Sequence, residues 1–351
     1  MKKILIISNG HGEDLVAANL IMKLAQGAEI DVFPLVGKGK VFENLPATVI
    51  GTRKSFPSGG FSIRNILALP SDIFSGYFPN LREQLSILKN CRKKYDLAIG
   101  IGDLVPLYAA STIGCPFIFI GVNKTDYYSS FGLSYTPWEK LILKKAKMVY
   151  TRDQKTALNL AKDGIHARYE GNPLMDCIGP IPPIKKDPNK KVVGFLPGTR
   201  EDDILMNIYD FQLIARKLLK LNKNVEMIIA TKADIPDEFT RKPFSEVVSR
   251  SDIIVGLSGT GNEQAAGLGK PVVAFPGRGS QYTGRFARAQ KQLLSEALCL
   301  VKRDPVKTAD EIWSILNDHG RHEYMSKTGR ERMGEPGADD KIASYVKEFL
   351  K

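Results

Sequence analysis

Glycines, hydroxyls and an arginine occur together where an apolar stretch of the second half of the chain ends. The segment "VVGFLPGTR" closes on Gly198, Thr199 and Arg200. Glycine lets a backbone come close to a ligand, and the planar arginine fork matches a phosphate group. Ligands of open α/β sheets bind at the carboxyl ends of strands. The segment therefore indicates a phosphate site, with an ordinary turn and a surface arginine as the alternative.

A second stretch, "SGTGNEQAAGLG", carries Ser258, Gly259, Thr260 and Gly261 between a predicted strand and a predicted helix. The free N–H groups and positive dipole end of a helix start suit a diphosphate. The spacing of Thr260 and Glu263 also fits a capping box, in which each side chain binds the other's backbone N–H. Both interpretations are open at the level of sequence.

The loop "PGRGSQYTG" follows a third predicted strand of the same half. Gly277, Gly279 and Ser280 make it flexible, and Gln281 follows them directly. An amide at this place could bind a sugar hydroxyl. A solvated loop side chain is the alternative interpretation of Gln281.

The first half offers acid–base chemistry in the loop "SNGHGED". Gly10 and Gly12 begin a dinucleotide motif, but the position of its third glycine is Leu15, and Glu13 and Asp14 would repel a pyrophosphate. The P-loop motif of nucleoside triphosphatases, GxxxxGK[ST], is also missing. The first half is therefore expected to bind neither a nicotinamide or flavin dinucleotide nor a nucleoside triphosphate through these motifs.

The candidate general bases are therefore a histidine and a carboxylate at predicted strand ends. His11 lies in the first loop, and Asp103 ends the run "LAIGIGD". Helix capping is the alternative role for Glu13, Asp14 and Asp103.

These loops need strands and helices in alternation, and the chain supplies them. Near-continuous Ile, Val and Phe runs predict buried parallel strands, and the helices between them predict βαβ units. We predict an α/β protein with two Rossmann-like, doubly wound domains facing a central cleft. The predicted parts are a first domain (1–176), a Pro-rich linker (177–190), a second domain (191–335) and a C-terminal helix (336–351) that crosses back to the first domain.

Bulk composition agrees with two globular domains. The 351 residues are 43% hydrophobic and 25% charged, with a net charge of +12. The basic balance indicates phosphates or an anionic membrane surface as partners, or only a solvated lysine-rich surface; we predict no nucleic-acid partner. The four scattered cysteines predict neither disulfides nor zinc, and no run is long enough to span a membrane, so a cytoplasmic location is expected.

The order and spacing of five motifs resemble the lipid-A-disaccharide synthase family and, more broadly, the GT-B glycosyltransferases, over the whole chain. The motifs are "SNGHGED", "IGDLVP", "GNPLMD", "LPGTR" and "SGT" before "LGKPVVAFPG". The resemblance implies a UDP-linked sugar donor on the second half and a lipid-linked acceptor on the first. It implies that Arg200 and the Ser258–Gly261 loop hold the diphosphate, that Asp103 is the leading base with His11 second, and that an acid after the loop holds the ribose.

Two departures from the family pattern affect these roles. Asn172 replaces the histidine of the family's turn, and the family acid falls at Gln264 rather than Glu263, so the two share the ribose assignment. No Asp-x-Asp is present, so neither a metal nor another cofactor is expected. A UDP-N-acetylglucosamine 2-epimerase and a non-catalytic nucleotide-sugar or lipid-binding protein are the alternative functions.

Two segments are candidates for contact with lipid. Residues 55–80 are apolar with Gly and Pro and few charges, and a basic helix is predicted over Glu139–Tyr150, beside Trp138. A buried loop and a helix packed on the sheet are the respective alternatives. Either segment would make the protein peripheral on the inner face of the cytoplasmic membrane.

Overall fold

Parallel strands joined by helices form two separate sheets in the computed structural model of the protein. The chain divides into unit 1, Met1–Cys177 with Pro336–Lys351, and unit 2, Ile178–Glu335. The structure describes residues 1–37, 39–51, 77–127, 135–181, 183, 187, 189–279 and 281–351. The two doubly wound parallel sheets confirm the predicted fold class.

Unit 1 contains a seven-stranded sheet of order β3-β2-β1-β4-β5-β6-β7. Its strands are β1 Lys2–Ser8, β2 Ala28–Pro34, β3 Thr48–Val49, β4 Leu97–Ile101, β5 Phe117–Gly121, β6 Met148–Thr151 and β7 Ala167–Arg168. Its helices are α1 His11–Leu24, α2 Tyr77–Asn90, α3 Leu104–Thr112, α4 Pro137–Leu143, α5 Gln154–Lys162 and α6 Pro173–Asp176, with a 3-10 turn at Lys40–Phe42.

Both faces of this sheet are covered, which explains why its central strands are apolar throughout. Ile4 and Ile6 of β1 pack under α1, whereas Leu5 and Ile7 face the layer that contains α3 and α4. All four side chains are fully buried.

The last helix of the chain, α13 (Ala338–Phe349), belongs to unit 1. Its Ile342 and Val346 are fully buried in the core that also contains α1. The Asp176 carboxylate at the end of α6 accepts hydrogen bonds from the backbone N–H groups of Gly337 and Asp339, which fixes the start of α13.

Unit 2 contains a six-stranded sheet of order β10-β9-β8-β11-β12-β13. Its strands are β8 Lys191–Leu196, β9 Val225–Ile229, β10 Thr240–Arg241, β11 Ile253–Gly256, β12 Val272–Ala274 and β13 Leu298–Leu300. Its helices are α7 Glu201–Leu221, α8 Phe244–Arg250, α9 Thr260–Gly267, α10 Gly284–Leu294, α11 Pro305–Asn317 and α12 His319–Met333, with a 3-10 turn at Ser295–Ala297.

The prediction of one basic helix over Glu139–Tyr150 is wrong. Helix α4 ends at Leu143, and the segment from Met148 becomes β6, which pairs with β5 and β7. The reason is tertiary: Met-Val-Tyr-Thr is buried between two neighbouring strands, and this pairing overrides the helical preference of the lysine-rich residues before it.

Most of the apolar segment 55–80 lies outside the described residues, and so do Ser280 and five positions of the predicted linker. No helix in the described part of the chain is both long enough and apolar enough to cross a membrane.

Candidate functional site

Two strand-end loops of unit 2 meet beside the centre of its sheet. Strands β8 and β11 are neighbours, and the chain leaves them toward different outer strands, which is the switch point where open α/β sheets bind ligands. Gly198 and the exposed Thr199 follow β8, and the half-buried Arg200 is the N-cap residue of α7. A Cβ atom on Gly198 would lie 3.1 Å from the backbone oxygen of Leu257, the residue after β11.

Gln281, from the loop after β12, ties the β8 loop in place. Its Oε1 accepts hydrogen bonds from the backbone N–H groups of Thr199 (3.2 Å) and Arg200 (3.3 Å). Its Nε2 donates to the Thr199 hydroxyl at 3.2 Å. The side chain therefore braces the loop through atoms that are already engaged, which is neither of the two roles considered from the sequence.

Two glycines make room for this bracing. Gly198 has a φ of +92°, and an added Cβ would lie 2.7 Å from Gln281 Oε1. A Cβ on Gly279 would lie 1.9 Å from Asp203 Oδ1, and the other oxygen of this carboxylate accepts from the Gln281 N–H at 2.7 Å. Only glycine fits at either position.

Helix α9 begins differently from the predicted capping box. Its N-cap residue is Gly259, and Thr260 is already the first helical residue, so no Thr260–Glu263 box closes the helix end. Helix geometry leaves the N–H groups of Thr260, Gly261 and Asn262 without an acceptor inside the helix.

The two ribose candidates differ in exposure. Glu263 is half-buried, whereas Gln264 is 4% exposed. Glu263 is therefore the better placed of the two to reach a ligand outside the helix.

Buried amides hold the β11–α9 turn from below. Asn262 is fully buried and donates to the Gly256 oxygen at 3.0 Å and to Gln290 Oε1 at 2.9 Å. Gln290 in turn donates to the Gly259 oxygen at 2.8 Å and accepts from the Tyr282 hydroxyl at 2.6 Å. Burial raises the pKa of Tyr282, so this hydroxyl remains a donor. The β11–α9 turn thus rests on a connected polar network.

The first loop of unit 1 is a tight strand-to-helix turn at the corresponding sheet edge. Gly10 is the N-cap residue of α1 with a φ of +131°, and His11 and Gly12 are its first helical residues. The side chain of His11 lies outside the described part of the structure.

Glu13 lies where the loops after β1, β4 and β5 come together. Asn123, after β5, donates to its Oε1, and a Cβ on Gly102, after β4, would lie 3.1 Å from its Cγ. Burial raises the pKa of Glu13 to about 7, and the nearby charge of Asp103 adds to the rise, whereas the Asn123 hydrogen bond opposes it. A carboxylate with this pKa can accept a proton near neutral pH.

The other two candidate acids of the first half, Asp14 and Asp103, are held by hydrogen bonds. Asp103 is the N-cap residue of α3, and its Oδ1 accepts from the Val105 N–H and from Asn9 Nδ2, both at 3.2 Å. Asp14 accepts from the Ser8 hydroxyl at 2.6 Å, and burial raises its pKa to about 6. Glu13 and Asp103 thus share one site, while Asp14 is bonded to the end of β1.

Asn172, the departure from the family turn, is fully buried and caps α6 by accepting from the Leu174 N–H at 3.1 Å. Its amide therefore has a structural role here.

Comparison with known proteins supports the sequence resemblance. Residues 159–255 match the family model described as lipid-A-disaccharide synthetase. No curated protein sequence matches the chain significantly. The match spans the end of unit 1 and the strands β8 to β11 of unit 2.

Solved structures match over the full length. The calicheamicin glycosyltransferase CalG4 superposes with a TM-score of 0.70 at 15% identity, covering 100% of this chain and 98% of that one. The chain has the GT-B fold. S. aureus MnaA with UDP (TM-score 0.63, 15% identity, 100% and 97% covered) shares it. So does the Neisseria meningitidis UDP-GlcNAc 2-epimerase with UDP-GlcNAc (TM-score 0.59, 15% identity, 99% and 100% covered).

Within this GT-B fold, the sequence reasoning missed the side chains that position the loops. They are the amides and acids beneath the candidate sites: Asn9, Asn123, Asp203, Asn262 and Gln290. For Asn262 the sequence did contain a signal, namely the glycine that ends the preceding strand, Gly256. A Cβ at that position would lie 1.8 Å from the Asn262 oxygen, so the strand end must be glycine for Asn262 to pack there. For the others the partners are too far apart in sequence to be paired by inspection.

Proposed function

We propose that the protein is an inverting, metal-independent glycosyltransferase. It moves a sugar from a UDP-linked donor to a lipid-linked or glycolipid acceptor, as the lipid-A-disaccharide synthases do, at the inner face of the cytoplasmic membrane. The observation that carries the proposal is the braced pair of loops, Gly198–Arg200 and Ser258–Gly261, at the switch point of unit 2. A glycosyltransferase fold over the full length supports it.

In the proposed donor complex the diphosphate lies at the start of α9. The N–H groups of the first helical turn and the Arg200 guanidinium carry the charge that a metal supplies in other transferases. Ser258 and Thr199 add hydroxyl donors, and Glu263 binds the ribose hydroxyls. Gln281 acts indirectly by holding the Thr199–Arg200 backbone. The UDP and UDP-GlcNAc bound in two structural relatives support a uridine nucleotide.

In the proposed transfer step Glu13 acts as the general base, in place of Asp103 or His11. Its carboxylate takes the proton of an acceptor hydroxyl, and the resulting oxygen attacks the anomeric carbon from the face opposite UDP. The carbon–oxygen bond to the diphosphate breaks, and UDP departs with the electron pair. Asp103 contributes by holding the Glu13 pKa up through its negative charge.

Donor binding is tested by thermal unfolding with UDP, GDP and CDP. UDP at 100 times its Kd should stabilise the protein by about 2.7 kcal/mol, which raises the Tm of unit 2 by roughly 5–10 °C. Arg200→Ala should lose this shift. Arg216→Ala is the matched control, because this arginine of the same helix forms a surface ion pair with Glu238 and should leave the shift unchanged. An equal UDP shift in Arg200→Ala would refute the donor site.

A 2-epimerase is the second candidate, because a UDP-GlcNAc 2-epimerase shares the fold over the full length. UDP release from UDP-sugars, measured with and without a membrane-lipid extract, separates the two. A transferase releases UDP only with the acceptor. An epimerase changes the sugar configuration at C2 without any acceptor, and this outcome would replace the transferase proposal.

A further inference from the structure

Helices α3 and α4 pack side by side on unit 1 and expose large apolar side chains. Trp138 and Leu141 of α4 are 76% and 57% exposed, and Tyr108 of α3 is 54% exposed. Their opposite sides are buried, through Leu107 on α3 and Leu143 on α4. Single exposed apolar residues are ordinary, but three on adjoining helices form a patch.

The same two helices border a basic cavity of about 500 Å³. Its described lining contains Tyr108 together with the cations Arg92, Lys93 and Lys145, and no acid. Within the described part of the chain, none of these three cations forms a salt bridge.

Local structure fixes two of the cations. Arg92 Nε donates to the Thr112 oxygen at 3.0 Å, which leaves its terminal amino groups for a ligand. Lys93 has a φ of +58°, rare for lysine, and its N–H donates to the Ile113 oxygen at 2.9 Å. The fold therefore holds this lysine in an unfavourable backbone conformation beside the cavity.

The apolar patch and the cavity belong to one continuous face. Trp138 and Leu141 lie three residues apart on α4, and Lys145 follows in the turn just after the helix ends. On α3, the exposed stripe runs from Leu104, next to Asp103, to Ser111 at the cavity, a rise of about 10 Å. The α3–α4 face, defined by Tyr108, Trp138, Leu141, Arg92, Lys93 and Lys145, thus extends from the candidate acceptor site to the basic cavity.

We propose that the α3–α4 face is the surface by which unit 1 lies on a bilayer of anionic phospholipid. The inference rests on the membrane location in the proposed function. Trp138, Tyr108 and Leu141 enter the headgroup boundary, where amphipathic aromatic rings are favoured. The cavity takes a headgroup phosphate, and the cations complement the negative surface of the cytoplasmic leaflet. A lipid-linked acceptor in that leaflet would then be presented along α3 toward Asp103.

Vesicle co-sedimentation tests this orientation. The full-length protein should bind vesicles of 70% phosphatidylcholine and 30% phosphatidylglycerol and not vesicles of phosphatidylcholine alone. Lys93→Asn with Lys145→Gln should weaken binding about fivefold for each lysine neutralised. Asparagine tolerates the left-handed conformation at position 93. Lys302→Gln with Lys307→Gln is the matched control, because it makes the same charge change at exposed sites of unit 2.

The tryptophan provides a second readout. The chain has two tryptophans, so Trp313→Phe leaves Trp138 as the sole tryptophan, which is excited selectively at the red edge of protein absorption. Its emission should shift to shorter wavelength on the anionic vesicles. The proposed face would be overturned if the control variant lost as much vesicle binding as the Lys93/Lys145 variant. It would also be overturned if the tryptophan emission did not shift when the protein is bound to vesicles.

UDP binding separates this inference from the proposed function. Both lysine pairs should keep the wild-type UDP thermal shift. A normal UDP shift with no vesicle binding would refute the α3–α4 face and leave the donor site standing. Vesicle binding with no UDP shift would instead refute the proposed function.

Discussion

At the scale of single residues, unit 1 gives two neighbouring carboxylates different environments. Asp103 has its Oδ1 in two hydrogen bonds at a helix start, whereas Glu13 is buried between three loops. Burial and the charge of Asp103 raise the pKa of Glu13 to about 7. Enzymes separate acid and base roles by such differences in environment.

If Glu13 is the base, the rate of acceptor-dependent transfer should rise with pH through an apparent pKa near 7. Glu13→Gln should lower the rate at least about 100-fold. Asp103→Asn keeps a side-chain cap for α3 but removes the charge, so it should move the midpoint of the pH–rate profile to lower pH. The profile of each variant with saturating donor is the measurement. A midpoint unchanged in Asp103→Asn would contradict the coupling between the two carboxyls.

The same pKa makes a stability prediction of known sign. The folded state binds the Glu13 proton more tightly than the unfolded chain does. The resulting contribution to the free energy of unfolding is therefore complete below about pH 4.5 and is lost as pH rises through 7. Glu13→Gln should therefore raise the unfolding free energy at pH 8, by about 2 kcal/mol, with little change at pH 4. Urea unfolding at the two pH values measures both.

At the scale of elements, α9 is fixed to the sheet by the approach of Asn262 to Gly256. A Cβ at position 256 would lie 1.8 Å from the Asn262 oxygen. Gly256→Ala should therefore displace α9, weaken UDP binding at least about tenfold and destabilise the protein by about 1–3 kcal/mol. Gly27→Ala, where a Cβ would meet nothing closer than 4.0 Å, is the control. Calorimetric titration with UDP measures the two affinities, and equal UDP affinities in Gly256→Ala and Gly27→Ala would contradict the prediction.

Helix α13 begins over a buried acid. Asp339 is 1% exposed, and within the described part of the chain neither of its carboxylate oxygens meets the geometry of a hydrogen bond. Burial and the charge of Asp176 raise the pKa of Asp339 to about 7. The favourable contribution of the Asp339 carboxyl to the free energy of unfolding is therefore complete below about pH 4 and lost as pH rises through 7.

Asp339→Asn should therefore stabilise the protein at pH 8 by about 1–2 kcal/mol and have little effect at pH 4. Asp340→Asn is the matched control: it removes an exposed ion pair with Lys23 and should change stability by less than about 1 kcal/mol, in the opposite direction. Thermal unfolding of both variants at the two pH values gives the comparison. Destabilisation by Asp339→Asn at pH 8 would contradict the prediction.

At the scale of the whole molecule, the alternation of apolar strands and helices was sufficient to predict both sheets. It also located the loops, because strand ends are marked by glycine and polar residues such as Gly198 and Asp103. It could not predict the bracing, since Gln281 and Thr199 are 82 residues apart and Asn123 and Glu13 are 110 apart. It failed at Met148–Thr151, where pairing with neighbouring strands decides the structure.

The division into two units predicts that they respond separately to loss of the last helix. Truncation after Glu335 removes α13 from the core of unit 1, including the fully buried Ile342 and Val346. Burying each such side chain contributes about 1.5–3 kcal/mol, so the loss approaches the roughly 5–15 kcal/mol that stabilises a domain. All the proposed donor residues lie in unit 2, so UDP affinity should be retained.

Scanning calorimetry with and without UDP measures both effects. The transition that UDP moves upward should persist in the truncated protein, and the transition that UDP does not move should fall by tens of degrees or vanish. Removal of Lys351 alone, beyond the end of α13, is the control and should change neither transition. Loss of UDP binding on truncation would mean that the donor site depends on unit 1, because α13 contributes no residue to the proposed site.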